Sequence, residues 1–318
     1  MSSTRLDRAL ALEAVRVTEA AAIAAAKWVG RGDEKAADQA AVDSMRTALN
    51  LLPIDGRIVI GEGERDEAPM LYIGEKVGTG KGPKVDIALD PLEGTTLTAK
   101  NMANACAVMA FAPEGGLLNA PDTYMDKIAV GPGFADGLVD LDAPAEENVL
   151  ALAKAKGEPV GEITVCVMDR PRHADLIAAL RRVGAKVALI TDGDVAGVIH
   201  TTDPDADIDM YMGIGGAPEG VLACAALKAV GGQFQGRLVF RNDDERGRAE
   251  RCGITEFDRK YTLHEIVRHE AIFVATGVTR GAMLDGVYYD RGYVKCHSLI
   301  MSSSSGTVRD VRMRRPAP

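Results

Sequence analysis

Leu6, Leu10, Val17, Ala21, Ala24 and Trp28 recur at steps of three, four or seven, the period of a helix that buries one face. Gly30 ends that helix. Asp33 reads as the N-cap of a second helix, which turns Val42, Met45, Leu49 and Leu52 inward and closes at Pro53. Short apolar runs at 57–60, 85–89 and 105–111 then predict buried strands. Beyond Gly157 the rhythm changes. Strand patterns at 163–168, 186–190 and 208–214 alternate with helical ones at 174–183, 195–200 and 218–230, the signature of stacked βαβ units, and a further strand is expected near 233–240. The pattern predicts an α/β protein of two packed halves, residues 1–157 and 158–318. The one low-complexity run, Ser302 to Ser305, is expected to be an edge strand or a loop.

Composition narrows what such a fold can do. The 318 residues are 47% hydrophobic, ample for a core and too apolar for a disordered chain. With 37 basic against 46 acidic side chains the net charge is −9, which repels nucleic acid and anionic lipid unless basic residues are locally concentrated. A small molecule is therefore the expected partner, and an anionic one calls for cations to offset the acidic background. Five scattered cysteines, with no C-x-x-C pair, suggest neither a disulfide frame nor a zinc knuckle and fit a reducing compartment. The first residues lack a signal-like pattern and no apolar stretch reaches the length of a membrane span, so a cytoplasmic location is expected.

Acid is concentrated where strands end. Gly61-Glu62-Gly63-Glu64 follows one predicted strand and Asp90-Pro91-Leu92-Glu93-Gly94-Thr95 follows the next. In α/β sheets the turns leaving strand ends are where ligands gather. Hard divalent ions such as Mg²⁺ or Mn²⁺ need several oxygen ligands, and carboxylates from separate turns can share them. Alone, Glu62 and Glu64 also read as a polar turn. Pro91 is expected to take the chain out of the sheet and hold Asp90 at its lip, while Gly94 and Thr95 can expose backbone amides to an anion. Asp38 lies on the buried stripe of the second helix, in step with Val42, Met45 and Leu49. It needs a metal, a salt bridge to an arginine, or a helix that starts late enough to leave it exposed.

Three further strings carry charge or close backbone. Asp169-Arg170-Pro171-Arg172-His173 places two guanidiniums between a strand and a helix, where they can fork onto a phosphate. Asp192-Gly193-Asp194 either accepts hydrogen bonds from sugar hydroxyls or is a turn followed by an N-cap. In Gly213-Ile214-Gly215-Gly216-Ala217-Pro218-Glu219-Gly220, Pro218 replaces the third glycine of a dinucleotide fingerprint. Glu219 is there either a ligand or a helix-dipole partner. His264 and His269 are i, i+5 rather than the i, i+4 of a zinc helix, and no histidine lies beside a convincing nucleophile for triad hydrolysis.

Together with Gly30-Arg31-Gly32-Asp33, Asp66-Glu67-Ala68-Pro69-Met70 and Asn119-Ala120-Pro121-Asp122, these strings resemble class II fructose-1,6-bisphosphatase, in the same order and from about Leu6 to Val311. D-P-L-E-G-T alone would indicate the wider lithium-sensitive phosphatase superfamily, which usually has Asp where this chain has Glu93; Glu93 points to the class II branch. The resemblance implies a layered αβαβα sandwich, with a metal-binding half at 1–157 and a sugar-phosphate clamp at 158–318. It implies that Asp38, Glu62, Asp90, Glu93 and Glu219 bind the metal and that Thr95 orients the attacking water. Gly94, Tyr124, Arg170, Pro171, Arg172, Asp192, Gly193, Asp194 and Gly216 would join Glu93 and Thr95 in holding the substrate. Arg170 departs from members with Lys, keeping the charge but changing the hydrogen-bond fork.

The implied reaction is in-line attack of a metal-bound water on the 1-phosphate, without a phosphoenzyme, in a homo-oligomer (dimer or tetramer). A sedoheptulose-1,7-bisphosphatase or dual enzyme is the nearest alternative. An inositol-phosphate phosphatase would leave Arg170 and Arg172 unused, a nicotinamide oxidoreductase is disfavoured by Pro218, and a non-catalytic sensor has little use for five carboxylates and Thr95.

Overall fold

A computed structural model of the chain describes residue 6 and residues 8–63 and 70–317. The chain opens with helices α1 (Arg8–Ala26) and α2 (Glu34–Leu49), then runs through β1 (Asp55–Ile60), β2 (Lys76–Val77), β3 (Lys84–Glu93), α3 (Thr95–Ala99) and β4 (Cys106–Pro113). It continues with β5 (Tyr124–Val130), α4 (Ala145–Lys156), β6 (Thr164–Met168), α5 (Ala174–Val183), β7 (Lys186–Ile190), α6 (Asp194–Ile199) and β8 (Met210–Gly216). Next come α7 (Ala217–Val230), β9 (Gln233–Val239), α8 (Asp243–Arg251), β10 (Lys260–Thr262) and α9 (Leu263–Ile266), and the chain closes with β11 (Ile272–Gly277), β12 (Tyr288–Asp290), β13 (Tyr293–Ser302) and β14 (Thr307–Pro316).

Two units result, each an α/β assembly around one mixed sheet: Met1–Leu118 with Val267–Pro318, and Asn119–Ile266. The division differs from the expected boundary at 157. In the first unit the strand order is β12-β13-β11-β4-β3-β1-β2, with β14 on the free edge of β13. Hence β11 to β14, from the far end of the chain, complete the sheet begun by β1, β3 and β4. A cut at 157 would also strand β5, which pairs with β8 on one side and β9 on the other.

Burial explains why these segments take these forms. Ala37, Ala41, Val42, Met45 and Leu49 form the inner stripe of α2, and Asp33 caps its start, its side chain accepting from the Ala36 amide at 3.0 Å. These residues pack in one core with Leu10, Val17 and Ala21 of α1 and with Ile58, Ile87, Met109, Phe111, Ile272 and Val274 of the sheet. β4 has neighbours on both edges and is buried on both faces from Cys106 to Ala112, hence its unbroken apolar run.

The second sheet has the order β10-β9-β5-β8-β6-β7. Only β7, β6 and β8 are parallel, as stacked βαβ units require; β5, β9 and β10 join antiparallel. The strands expected at 163–168, 186–190 and 208–214 to form stacked βαβ units are these three parallel ones. The sequence reading missed two strands of this sheet, the short edge strand β10 and β5, whose polar Asp126 and Lys127 hide a central position. Ser302 ends β13, and the serines after it form the turn into β14.

Phe111 is fully buried at the centre of the first sheet. Phe111→Ala should cost about 3–5 kcal/mol through lost burial and a residual cavity. Urea unfolding followed by far-UV circular dichroism measures this.

Candidate active site

In the first unit, short backbone tethers place the acidic residues. Gly30 N–H donates to the Thr98 carbonyl at 2.9 Å and Gly32 N–H to the Ala99 carbonyl at 3.0 Å, tying the entry of α2 to the end of α3. Both glycines have positive φ, of 72° and 74°. Asp38 follows in the second turn of α2, half-buried. Burial raises its pKa, and no cation among the described residues opposes the shift. The salt bridge considered for Asp38 is therefore absent there, and so is the exposed first turn.

Glu62 leaves β1 against the 71–73 segment. Its N–H donates to the Leu71 carbonyl at 3.0 Å, and Ile73 N–H donates to the Gly63 carbonyl at 3.0 Å. A Cβ on residue 61 would lie 2.0 Å from the Leu71 oxygen, so this approach requires glycine. The Glu62 carboxyl is pushed up to about 8, first by burial and then by the negative charge of Asp38. Two acidic groups from separate elements thus oppose each other's ionisation. Glu64, Asp66 and Glu67 lie outside the described residues.

Asp90 and Glu93 both belong to β3. The expectation that Pro91 leads the chain out of the sheet is corrected: pairing with β4 runs from Asp90↔Val108 to Glu93↔Cys106, so residues 91 and 92 bulge opposite Ala107. Leu92 N–H donates to Asp90 Oδ1 at 2.9 Å, fixing that carboxylate beside the bulge. Glu93 is 5% exposed, and the Cys106 thiol donates to it at 3.6 Å. Burial, then the charges of Glu93 and Asp90, push that thiol well up, so it stays protonated. Gly94, at φ 90°, precedes Thr95, the first residue of α3. Among the described residues no three His, Cys, Asp or Glu side chains already form a metal cluster.

In the second unit the arginines gather round a tyrosine. Tyr124 begins β5 opposite Gly216 of β8. The Arg172 guanidinium lies 4.9 Å from its ring centre and that of Arg241 lies 4.8 Å away. Arg172 gives two N–H groups to the Ile214 carbonyl, at 3.0 and 2.7 Å, leaving three of its five donors for other acceptors. Arg170 donates one to the Asp169 carbonyl at 3.2 Å. Arg241 pairs with buried Glu245, which also accepts from the Thr123 hydroxyl. Burial opposes the Glu245 charge, but these hydrogen bonds outweigh it and hold the carboxyl below its usual range.

Buried His173 fixes the turn that carries both arginines. Its Nδ1 lies 2.7 Å from the Met168 carbonyl, and its Nε2 accepts from the Ile214 N–H at 2.8 Å. These partners require a neutral ring protonated at Nδ1, and burial lowers its pKa accordingly. Pro171 begins the short turn between Arg170 and His173.

Asp192 accepts from the Gly193 N–H at 3.1 Å, and Gly193 enters α6 at φ 85°. Asp194 is 4% exposed, and its carboxylate is ion-paired with buried Lys127. The expected side-chain acceptor for sugar hydroxyls is thus already taken at Asp194. Glu219 stands in the first turn of α7 and folds back over Gly216, where a Cβ would lie 1.8 Å from its Oε2. Lys127 and Arg241 were missed by the sequence reading. For Lys127 the available signal was a lysine just before the apolar Ile128-Ala129-Val130; for Arg241, nothing in the local pattern set it apart from other surface arginines.

Acidic strand ends in one unit and a guanidinium cluster in the other are the make-up of an enzyme that handles phosphate esters. Residues 8–315 match the family described as bacterial fructose-1,6-bisphosphatase, glpX-encoded. The chain is 47% identical over 321 aligned positions to fructose-1,6-bisphosphatase 1 class 2 of Escherichia coli strain K12, covering 96% of this chain and 95% of that one. The class 2 enzyme of Shigella flexneri matches with the same identity and coverage. Among solved structures, an inositol monophosphatase from Anabaena (Nostoc) is similar with a TM-score of 0.31 and 12% identity, over 60% of this chain and 71% of that one. The chain belongs to the bacterial glpX-encoded fructose-1,6-bisphosphatase family.

The raised Glu62 carboxyl has a consequence for stability without divalent cations. Between its ordinary value of 4.5 and about 8, the folded state holds a proton that the unfolded state releases. Stability should therefore fall as pH rises through that window, and Glu62→Gln should flatten the slope. Melting temperatures in EDTA across the window test this.

Proposed function

We propose that this chain hydrolyses the 1-phosphate of fructose 1,6-bisphosphate to fructose 6-phosphate and inorganic phosphate. The observation that carries the reading is the opposition between Glu62 and Asp38, two half-buried carboxylates whose joint ionisation calls for a cation. An all-oxygen donor set fits a hard divalent ion, Mg²⁺ or Mn²⁺, rather than a soft one. Asp38, Glu62, Asp90, Glu93 and Glu219 are the residues that would hold it. When bound, such an ion neutralises the phosphoryl oxygens and the leaving alkoxide.

The chain's own residues supply alignment. The Thr95 hydroxyl, at the start of α3, accepts a hydrogen bond from the attacking water and aims its lone pair at phosphorus. The new P–O bond forms as the bond to the sugar oxygen breaks, and the water's protons are shared between phosphate and sugar alkoxide. Gly94 offers its amide to the reacting group. Tyr124, Arg170, Pro171 and Arg172 take the phosphate that is not cleaved, with the spare donors of Arg172 forking onto it. Asp192, Gly193 and Gly216 line the sugar, and Asp194 contributes through backbone because its carboxylate is held by Lys127.

We place the enzyme in the cytoplasm as a homo-oligomer, a dimer or tetramer; no described helix is long and apolar enough to cross a membrane. Phosphate release with and without Mn²⁺ or Mg²⁺ tests the reading on fructose 1,6-bisphosphate, sedoheptulose 1,7-bisphosphate and inositol 1-phosphate. Cation-dependent release from the first is expected, and none from it with either ion would overturn the assignment.

Thr95→Ala should lower kcat by about a hundredfold or more while changing KM little, because water alignment matters in the transition state. Thr95→Ser should keep part of the rate; a change confined to KM would make Thr95 a binding residue. Arg172→Ala should raise KM for fructose 1,6-bisphosphate roughly tenfold or more, the worth of one charge-assisted hydrogen bond. It should leave kcat/KM for fructose 1-phosphate nearly unchanged. An equal fall for both substrates would place Arg172 on the reacting phosphate or in the fold.

A further inference from the structure

Lys127 occupies the central strand β5, with its side chain 1% exposed. Its ammonium pairs with the buried Asp194 carboxylate and also donates to the Gly216 carbonyl at 2.9 Å. Burying such a pair is expensive, and an apolar pair of similar volume commonly gives equal or greater stability. Stability alone is thus a poor reason for its presence.

The two groups that Lys127 holds belong to different turns. Asp194 follows Asp192 and Gly193 at the start of α6, whereas Gly216 precedes Ala217, Pro218 and Glu219 at the start of α7. One ammonium therefore sets the distance between two chain reversals, each carrying residues that the proposed reaction uses. Gly215 makes room for it. A Cβ on residue 215 would lie 2.0 Å from Asp194 Oδ2 and 2.9 Å from Lys127 Nζ. Gly215 is thus explained by this strut, without any ligand approaching it.

We propose that Lys127 is a positioning residue of the hydrolytic reaction: through Asp194 and Gly216 it locks the 192–194 turn and the 215–219 turn in one register for the sugar phosphate. Its ammonium is too deeply buried to touch substrate. This role rests on the bisphosphatase reading above.

The test compares wild type with Lys127→Met/Asp194→Asn, which removes both charges and leaves no buried ion, and with Gly215→Ala, which keeps both charges but crowds them. Wild type must first release phosphate from fructose 1,6-bisphosphate; if it does not, the reading of the reaction fails before that of Lys127 is reached. Given wild-type turnover, the paired variant should melt within about 5 °C of wild type, because a neutral replacement for a buried pair is often tolerated. Its kcat/KM should nevertheless fall at least roughly tenfold, most of it in KM. Gly215→Ala should show the same loss, and should decide the matter if the paired variant fails to fold. Wild-type kinetics in whichever variant folds would reduce Lys127 to core packing, and loss of fold in both would make the pair structural; either result overturns the proposal.

Discussion

Room for charged side chains at the ends of the sheets is the constraint on which both units depend. Carboxylates and ammonium groups can be buried there only where backbone and side chain approach more closely than a Cβ permits. Gly61 lets Leu71 close over the turn of Glu62, Gly215 leaves space for Asp194, and Gly216 lies beneath the carboxylate of Glu219. The glycine-rich strings thus act as moulds for charge. Their value lies in what the missing side chain admits more than in flexibility.

The cost of that buried charge is met in two ways. In the second unit opposite charges meet: Lys127 with Asp194, and Arg241 with Glu245. Those pairs are complete within the protein, and the first of them joins the turns that carry Gly193 and Gly216. The first unit also pairs Arg57 with buried Asp86, but at Glu62 burial first and the like charge of Asp38 second keep a proton on the carboxyl near neutrality. A pair left in conflict is a place for an added cation, whereas a pair already satisfied is scaffolding. The distinction separates Asp38 and Glu62 from Lys127 and Asp194 without appeal to their order in the chain.

His173 shows how neutral groups enter the same scheme. Its ring ties the Arg170 to Arg172 turn to β8 through two backbone partners that accept only one tautomer. Adjacent Gly213, at φ 132°, leaves the ring just enough space, since a Cβ there would lie 3.0 Å from Nε2. The guanidinium turn is therefore fixed by a group that carries no charge itself and adds no repulsion between the arginines.

Local pattern was sufficient for elements whose burial is one-sided or complete. The stripe of α2 with its Asp33 cap, the continuous apolar run of β4 and the helix at 174–183 follow from periodicity, because each repeats the geometry of a single helix or strand. The acidic strings stood out as candidates by their glycines, although Glu62 and Glu64 alone also read as a polar turn and Pro91 lies in a bulge of β3 rather than in a turn. What only the tertiary structure decided was pairing over long separations. No local signal says that β11 closes the sheet of β4, that β5 enters between β8 and β9, or that Lys127 meets Asp194, 67 residues away. Those choices depend on which edges and charges remain unsatisfied once the rest of the chain has folded, a property of the whole assembly that no short window of sequence contains.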